Sequence, residues 1–331
     1  MPQTTAFAAV ITIVIPAKAG IRHKERTMEW LPLILYAAAH SAVPLLIAGL
    51  GELITEKSGV LNLGVEGMML VGAVFAFIVA RDSGSFAFGL LAAAFAGGVM
   101  ASFFAFLTVG LRANQVACGL ALTIFGAGFS AFVGLDYEGK TLPAFAIAEQ
   151  SAYSFLAHDK LPHNLALLFG IGMLFLTLYF LNHSRAGLIL RACGENHDAA
   201  KRMGYQVSYI RAAAVIYGGV MCALAGAYLS VVYTPLWAQE MTAGRGWIVL
   251  ALVVFASWRP LRLLAGALLF GFVGILNFSL QNWGVSVAPQ FLAMAPYLAT
   301  IAALTLISWK LRHRRGSDFP ACLGRPLPLG G

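Results

Sequence analysis

Apolar runs suited to crossing about 30 Å of hydrocarbon recur along this sequence, at residues 30–50, 60–80, 86–111, 116–134, 165–181, 207–232, 247–258, 263–280 and 291–309. That recurrence leaves few folds open. Backbone within a bilayer must satisfy its own hydrogen bonds, which admits helices and closed barrels, and these runs are continuously apolar where barrel strands would alternate. The expected fold is therefore all-α, a polytopic transmembrane bundle of about 8–10 helices that includes broken or re-entrant segments. With 60% of 331 residues hydrophobic and 11% charged, an ordinary water-soluble domain is excluded.

The formal net charge of +8 invites a nucleic-acid reading, but the basic residues sit at the edges of the runs. Membrane lipid, and no nucleic acid, is the partner this pattern suits. Residues 182–211 carry Arg185, Arg191, Lys201, Arg202 and Arg211 against Glu195 and Asp198, whereas residues 135–163 carry Asp136, Glu138, Glu149 and Asp159 against Lys140 and Lys160. By the positive-inside tendency the first loop is cytoplasmic and the second external. Arg259, Arg262, Lys310, Arg312, Arg314 and Arg315 then fall inside, with a cytoplasmic tail over residues 316–331. The membrane domain is expected over residues 28–315. Lys18, Arg22, Lys24 and Arg26 would lie outside and break the pattern, and no basic residue precedes Lys18 as a secretory signal would require. The words VIPAKAGI look like a translated bacterial intergenic repeat, so the expected native start is Met28, with a mobile or interfacial extension over residues 1–27 as the alternative. Cys118, Cys193, Cys222 and Cys322 show no metal-ligand or CxxC spacing and read as packing residues; no cofactor or metal is called for.

Residues 134–141, GLDYEGKT, match the phosphate-loop pattern GxxxxGK[ST] letter for letter. The match is set aside. Such a loop needs a strand before it and a helix after it, whereas here a membrane helix precedes, Pro143 follows, and the acidic balance puts the loop outside.

Two polar interruptions stand out. GVLNLGVEGMML, residues 59–70, puts glycines 59, 64 and 67 with Asn62 and Glu66 at the head of an apolar run. The glycines weaken helical continuity and let backbones approach, while Asn62 and Glu66, four apart, share a face if this stretch is helical. Thr242-Ala-Gly244-Arg245-Gly246-Trp247 opens a short run in the other half. Paired interruptions in two halves point to broken helices flanking a pathway. The expected path or its supports are Asn62, Gly64, Glu66, Gly67, Asn114, Gln115, Gly244, Arg245 and Gly246. Each has a plainer reading: Glu66 as a capped carboxylate near the cytoplasmic interface, Arg245 pairing with Glu240 or holding its turn, Asn114 and Gln115 capping a helix. Asn277 and Gln281 either bond a neighbouring helix or line a pore, and tryptophans 30, 237, 247, 258, 283 and 309 read as an interfacial belt.

Residues 190–211, LRACGENHDAAKRMGYQVSYIR, form the most informative hydrophilic stretch. Asn196 can cap a helix of about two turns, with Glu195 and Asp198 at its start, Lys201 and Arg202 at its end, and Gly204 as the stop. Ala199, Ala200 and Met203 offer too little apolar area to anchor such a helix alone. It reads either as a solvated connector or as a docking surface.

This segment resembles the cytoplasmic coupling loop of ABC-transporter permeases in the branched-chain amino acid, simple-sugar and nucleoside permease family. Gly194, Glu195, Asn196, Ala199, Ala200 and Gly204 match its pattern, and His197 replaces the usual proline. The resemblance extends over residues 28–315, with further anchors at residues 56–73, 114–128 and 241–260, and is nearest the nucleoside or simple-sugar branch. It implies a permease subunit of a bacterial inner-membrane ABC importer, not itself an enzyme. It also implies a cytoplasmic ATPase subunit docked on residues 192–204, a second permease subunit of like or different sequence, and an extracytoplasmic substrate-binding protein. Branched-chain amino acid transport is the alternative permeant. An ion-coupled secondary transporter would need more intramembrane ionisable residues than Glu66, and a membrane enzyme more than the His158, Asp159 and His163 group of the external loop.

Overall fold

The computed structural model describes residues 23–142, 161–282, 294, 298, 301–302, 305 and 319–326. In chain order the helices are α1 (His23–Lys57), α2 (Val65–Ser83), α3 (Phe86–Ala105), α4 (Gln115–Val133), α5 (Leu161–His183), α6 (Arg185–Glu195), α7 (His197–Arg202), α8 (Val207–Ala227), α9 (Arg245–Phe255) and α10 (Pro260–Asn282). Both α3 and α8 end in wider π turns, Phe106–Gly110 and Tyr228–Tyr233. Among the described residues there is no strand, and extended pairing is limited to one bridge between Thr141 and Leu236.

Among the described residues, five helices are long and apolar enough to cross a membrane: Ile34–Lys57, Phe86–Gly110, Gln115–Val133, Leu165–His183 and Val207–Tyr233. The fold is the all-helical polytopic bundle expected. Eight of the nine apolar runs fall on helices, though unequally, since α2 carries Glu66, Arg81 and Asp82 at its ends and α9 has only 11 residues. The ninth run, 291–309, lies largely outside the described residues, as do residues 1–22.

The centre is α8, packed against α1, α2 and α3. Of the most apolar windows, 78% of the one in α8 and 67% of the one in α1 are buried, against 28% in α4 and 22% in α5, which places α4 and α5 at the periphery. Their outward Ile124, Phe132, Leu168 and Phe175 are exposed and suit lipid or a partner subunit. The centre is tight because small residues line it. A Cβ at Gly226 would stand 1.9 Å from the Met69 carbonyl, so α2 and α8 touch backbone to backbone. The Ser230 hydroxyl closes this contact by donating to the Ala73 carbonyl at 2.8 Å.

Two expectations change in the folded chain. The first run was read as ending at residue 50, yet α1 stays helical to Lys57, and Glu52, Thr55 and Glu56 are buried within the protein. Protein neighbours, not water, receive these polar groups. The belt reading also fails for Trp237 and Trp258, which are 0% and 7% exposed, while Trp247 remains 41% exposed. Trp237 fills the space left by Gly134, and the Trp258 indole donates to Glu56, so both rings face protein and not the lipid interface.

Candidate translocation and coupling sites

The chain breaks between α1 and α2. Ser58 closes α1 by donating its hydroxyl to the Thr55 carbonyl, Gly59 takes φ +94, and the next residues run non-helical until Val65. A break within a bilayer exposes backbone groups that need partners. Asn62 supplies some: its Oδ1 accepts from Gly64 N–H at 2.9 Å, and its amide donates to Glu52 at 3.2 Å. The condition under which Asn62 and Glu66 would share a helical face is not met. The side-chain turn at Asn62 competes with helix, and α2 begins only after it.

Helix α4 supplies two further partners. Asn114 caps it, accepting from Ala117 N–H at 3.0 Å. Gln115 then reaches across to accept from Leu61 N–H at 2.7 Å, and the Thr123 hydroxyl donates to the Leu63 carbonyl at 2.8 Å. Close approach is possible because a Cβ at Gly126 would lie 2.6 Å from the Cα of Gly67.

Glu66 is the joint between the two interrupted segments. The cap position of α9 is Gly244, in the left-handed region at φ +79, with no side chain to receive the first N–H groups of that helix. Those orphan donors are instead received by α2. One Glu66 oxygen accepts from Gly244 N–H at 2.9 Å and from the Thr242 hydroxyl at 2.5 Å, and the other accepts from Gly246 N–H at 2.5 Å. A carboxyl at a helix N-terminus also meets the positive end of the dipole. Gly246 cannot carry a Cβ without coming within 2.6 Å of Glu66 backbone. Arg245 turns away from this joint. It makes no ion pair with Glu240; its guanidinium lies 5.8 Å from the Tyr233 ring centre and reaches the Met241 carbonyl at 3.4 Å.

At the end of the bundle that holds the foot of α1, helices α6 and α7 form the hydrophilic segment. Asn196 breaks the helix between them with φ −150, and its side chain caps α7 by accepting from Ala199 N–H at 2.9 Å. Gly204 ends the turn at φ +89. Glu195, Asn196, Asp198, Ala199 and Gly204 are exposed, together with Met203 and Tyr205, whereas Ala200 is buried against Cys193 and Val207. Gly194 seats the segment on the bundle: a Cβ there would lie 2.1 Å from the Lys57 carbonyl. His197 stands where the family pattern has proline. Burial and the nearby Arg211 hold its pKa below the ordinary imidazole value, against the opposing pull of Asp198 at 3.7 Å. Burial and Arg211 both favour the neutral imidazole.

Sequence reading missed the polar residues at the foot of α1. Glu52 and Glu56 are one helical turn apart and buried, with Glu56 accepting from the Trp258 indole at 2.5 Å. Their i, i+4 spacing beside an apolar run was the available signal. The residues matching the phosphate-loop letters are committed to other contacts: Gly139 N–H donates to the Trp237 carbonyl and Lys140 N–H to that of Tyr137. The side chains of Asn277 and Gln281 lie outside the described residues.

The family model described as branched-chain amino acid transport system / permease component matches residues 34–307. A protein of Haloferax volcanii named, provisionally, as a glucose ABC transporter permease protein is 38% identical over 304 residues, covering 84% of this chain and 92% of its own. A nucleoside ABC transporter permease protein of Lactococcus lactis is 31% identical, covering 81% and 90%. A guanosine ABC transporter permease protein of Bacillus subtilis is 29% identical, covering 84% and 92%. No solved structure matches.

Proposed function

Because the chain belongs to the branched-chain amino acid transport system / permease component family, we propose that it is the membrane-spanning subunit of an ABC importer that moves a nucleoside or simple sugar inward. A separate cytoplasmic subunit hydrolyses ATP and docks on residues 192–204. A second permease subunit, either another copy or a different chain, completes the pore, and an extracytoplasmic binding protein delivers the permeant. The hydrophilic segment and the C-terminus face the cytoplasm.

The observation that carries this reading is the seat of the α6–α7 segment. The capped, exposed α7 follows directly on α6, whose Gly194 rests on the last turn of α1 just before the chain breaks at Gly59. A force on α7 is thus delivered to the root of the broken helix. Closure of the ATPase pair would bias this element between outward- and inward-open arrangements, which is what coupling between distant sites requires. Asn62, Gly64, Glu66, Gly67, Asn114, Gln115, Gly244 and Gly246 support the path, and Arg245 lies along it with guanidinium donors that the described residues leave unoccupied. Those donors suit hydroxyl and carbonyl oxygens. The relatives named for glucose, nucleosides and guanosine favour a neutral polar permeant over a branched-chain amino acid.

The test is uptake of labelled uridine by cells expressing the chain with its partner subunits, challenged with excess adenosine, ribose and leucine, beside a partner whose ATP site is disabled. Uptake blocked by adenosine and abolished by the ATPase defect is expected. Competition by ribose alone moves the assignment to sugars and by leucine to amino acids. Uptake indifferent to the ATPase defect overturns the reading in favour of an ion-coupled carrier.

A further inference from the structure

The tail beyond the last apolar run was expected only to be cytoplasmic, yet residues 319–326 are docked into the bundle. Cys322 N–H donates to the Gly194 carbonyl at 2.9 Å, and its thiol donates to the Glu195 carbonyl at 3.3 Å. Those two carbonyls end α6, immediately before Asn196 and α7. The Phe319 ring meets the Trp258 ring edge-on at 5.1 Å between centres. Pro320 and Cys322 are buried, and Leu323 packs against the main core. Arg211, 1% exposed, fastens the other side: its Nε donates to the Ser58 carbonyl at 3.0 Å and its Nη1 to the Arg325 carbonyl at 3.1 Å. A Cβ at Gly59 would meet that guanidinium at 2.6 Å and the Cys322 carbonyl at 3.4 Å, so break, arginine and tail form one packed knot.

We propose that residues 319–326 are a strap that joins the α6–α7 segment to the foot of α9, acting as a positioning element for energy coupling. This inference rests on the permease reading above. The contacts run without a gap. From Gly194 the link passes through Cys322 to Phe319, then to Trp258, whose indole is bonded to Glu56 on α1. Trp258 closes the turn after α9, and the far end of α9 is held by Glu66. A helix of 11 residues is about 16 Å long. It carries a displacement at its foot to the joint between the two broken segments. The strap thus gives the segment a second connection to the membrane domain, beside the direct contact of Gly194 on Lys57. With both connections in place, a push on the segment reaches α9 as well as α1.

The experiment uses the complete importer in proteoliposomes, with permeant uptake and ATP hydrolysis measured on the same preparation. Cys322→Pro removes the N–H that holds Gly194, Phe319→Ala removes the ring on Trp258, and Cys322→Ala keeps the N–H. For Cys322→Pro and Phe319→Ala the expected result is permeant moved per ATP hydrolysed lower by about tenfold, with the complex assembled and hydrolysis retained. Cys322→Ala should stay within about twofold of the unaltered protein. Unchanged uptake per ATP in Cys322→Pro and Phe319→Ala overturns the strap. So does a proportional loss of uptake and hydrolysis, or loss of the complex, because the tail would then serve assembly alone. Failure of the permease reading itself is separately visible, as an unaltered protein whose uptake does not depend on ATP.

Discussion

Glu66 receives three donors from the turn, cap and first residues of a helix that is not its own, and the reason lies in the residues around it. Gly244 offers no side-chain cap, and the N–H groups of Gly244 and Gly246 open α9 within the bundle, where water is a poor substitute. Glu66→Gln keeps the shape but replaces one accepting oxygen with an amide that can only donate toward the N–H groups it faces. An unsatisfied buried donor costs about 1–3 kcal/mol. The expected outcome is a lower midpoint of thermal unfolding in detergent together with reduced uptake, read by tryptophan fluorescence and by the uridine assay. A midpoint equal to that of the unaltered protein would remove Glu66 from its capping role. The plain carboxylate reading of Glu66 was available from sequence, but the identity of the helix it caps was not. Residues 66 and 244 are far apart in the chain, and no local pattern links them.

Among the helices, glycine has opposite meanings at different positions. In α8 a Cβ at Gly226 would overlap the Met69 carbonyl at 1.9 Å, whereas in α5 a Cβ at Gly172 would meet nothing within 4 Å. Gly226→Ala must therefore push α2 and α8 apart, at a cost of about 1–3 kcal/mol. Gly172→Ala only removes backbone freedom and should stabilise the helix by about 0.5–1 kcal/mol. Midpoints of thermal unfolding that shift in opposite directions would confirm the assignment of α8 to the centre and α5 to the rim. A fall of the Gly172→Ala midpoint as large as that of Gly226→Ala would instead place a close neighbour against α5. Both helices read alike in sequence, as long apolar runs with glycines. Which face is buried could not be read, because a helix surrounded by lipid and one surrounded by protein are both apolar all round.

For the molecule as a whole, the two ends differ in chemistry. One end gathers the foot of α1, the α6–α7 segment, the turn after α9 and residues 319–326; the other gathers the end of α2, the loop carrying Thr141 and the stretch around Trp237. In the orientation proposed from the charge bias, the first faces the cytoplasm. Replacing Asp136 or Lys201, both exposed, with cysteine in a chain whose four native cysteines are alanine provides the check. A membrane-impermeant thiol reagent applied to intact cells should label Asp136→Cys and spare Lys201→Cys until the membrane is opened. The reverse pattern would invert the topology and remove the basis for ATPase docking on α7.

Sequence by itself determined what depends on neighbours along the chain. Continuous apolar runs dictate helices because hydrocarbon admits no unpaired backbone, and Asn196 caps α7 because its side chain reaches an N–H three residues on. The glycines of residues 59–67 announced a break for the same local reason. Only the tertiary structure decided what the polar residues do once helices pack. Trp237 and Trp258, read as interfacial, are enclosed by protein; Glu52 and Glu56, beyond the run read as ending at residue 50, are buried within the bundle; and residues 319–326, read as a tail, are tied to Gly194, Trp258 and Arg211. Each depends on contacts between residues remote in sequence, and the same side chain is stable in lipid headgroups, in water or against protein. Composition cannot choose among those surroundings, whereas packing, which sets the particular neighbours of each buried side chain, does.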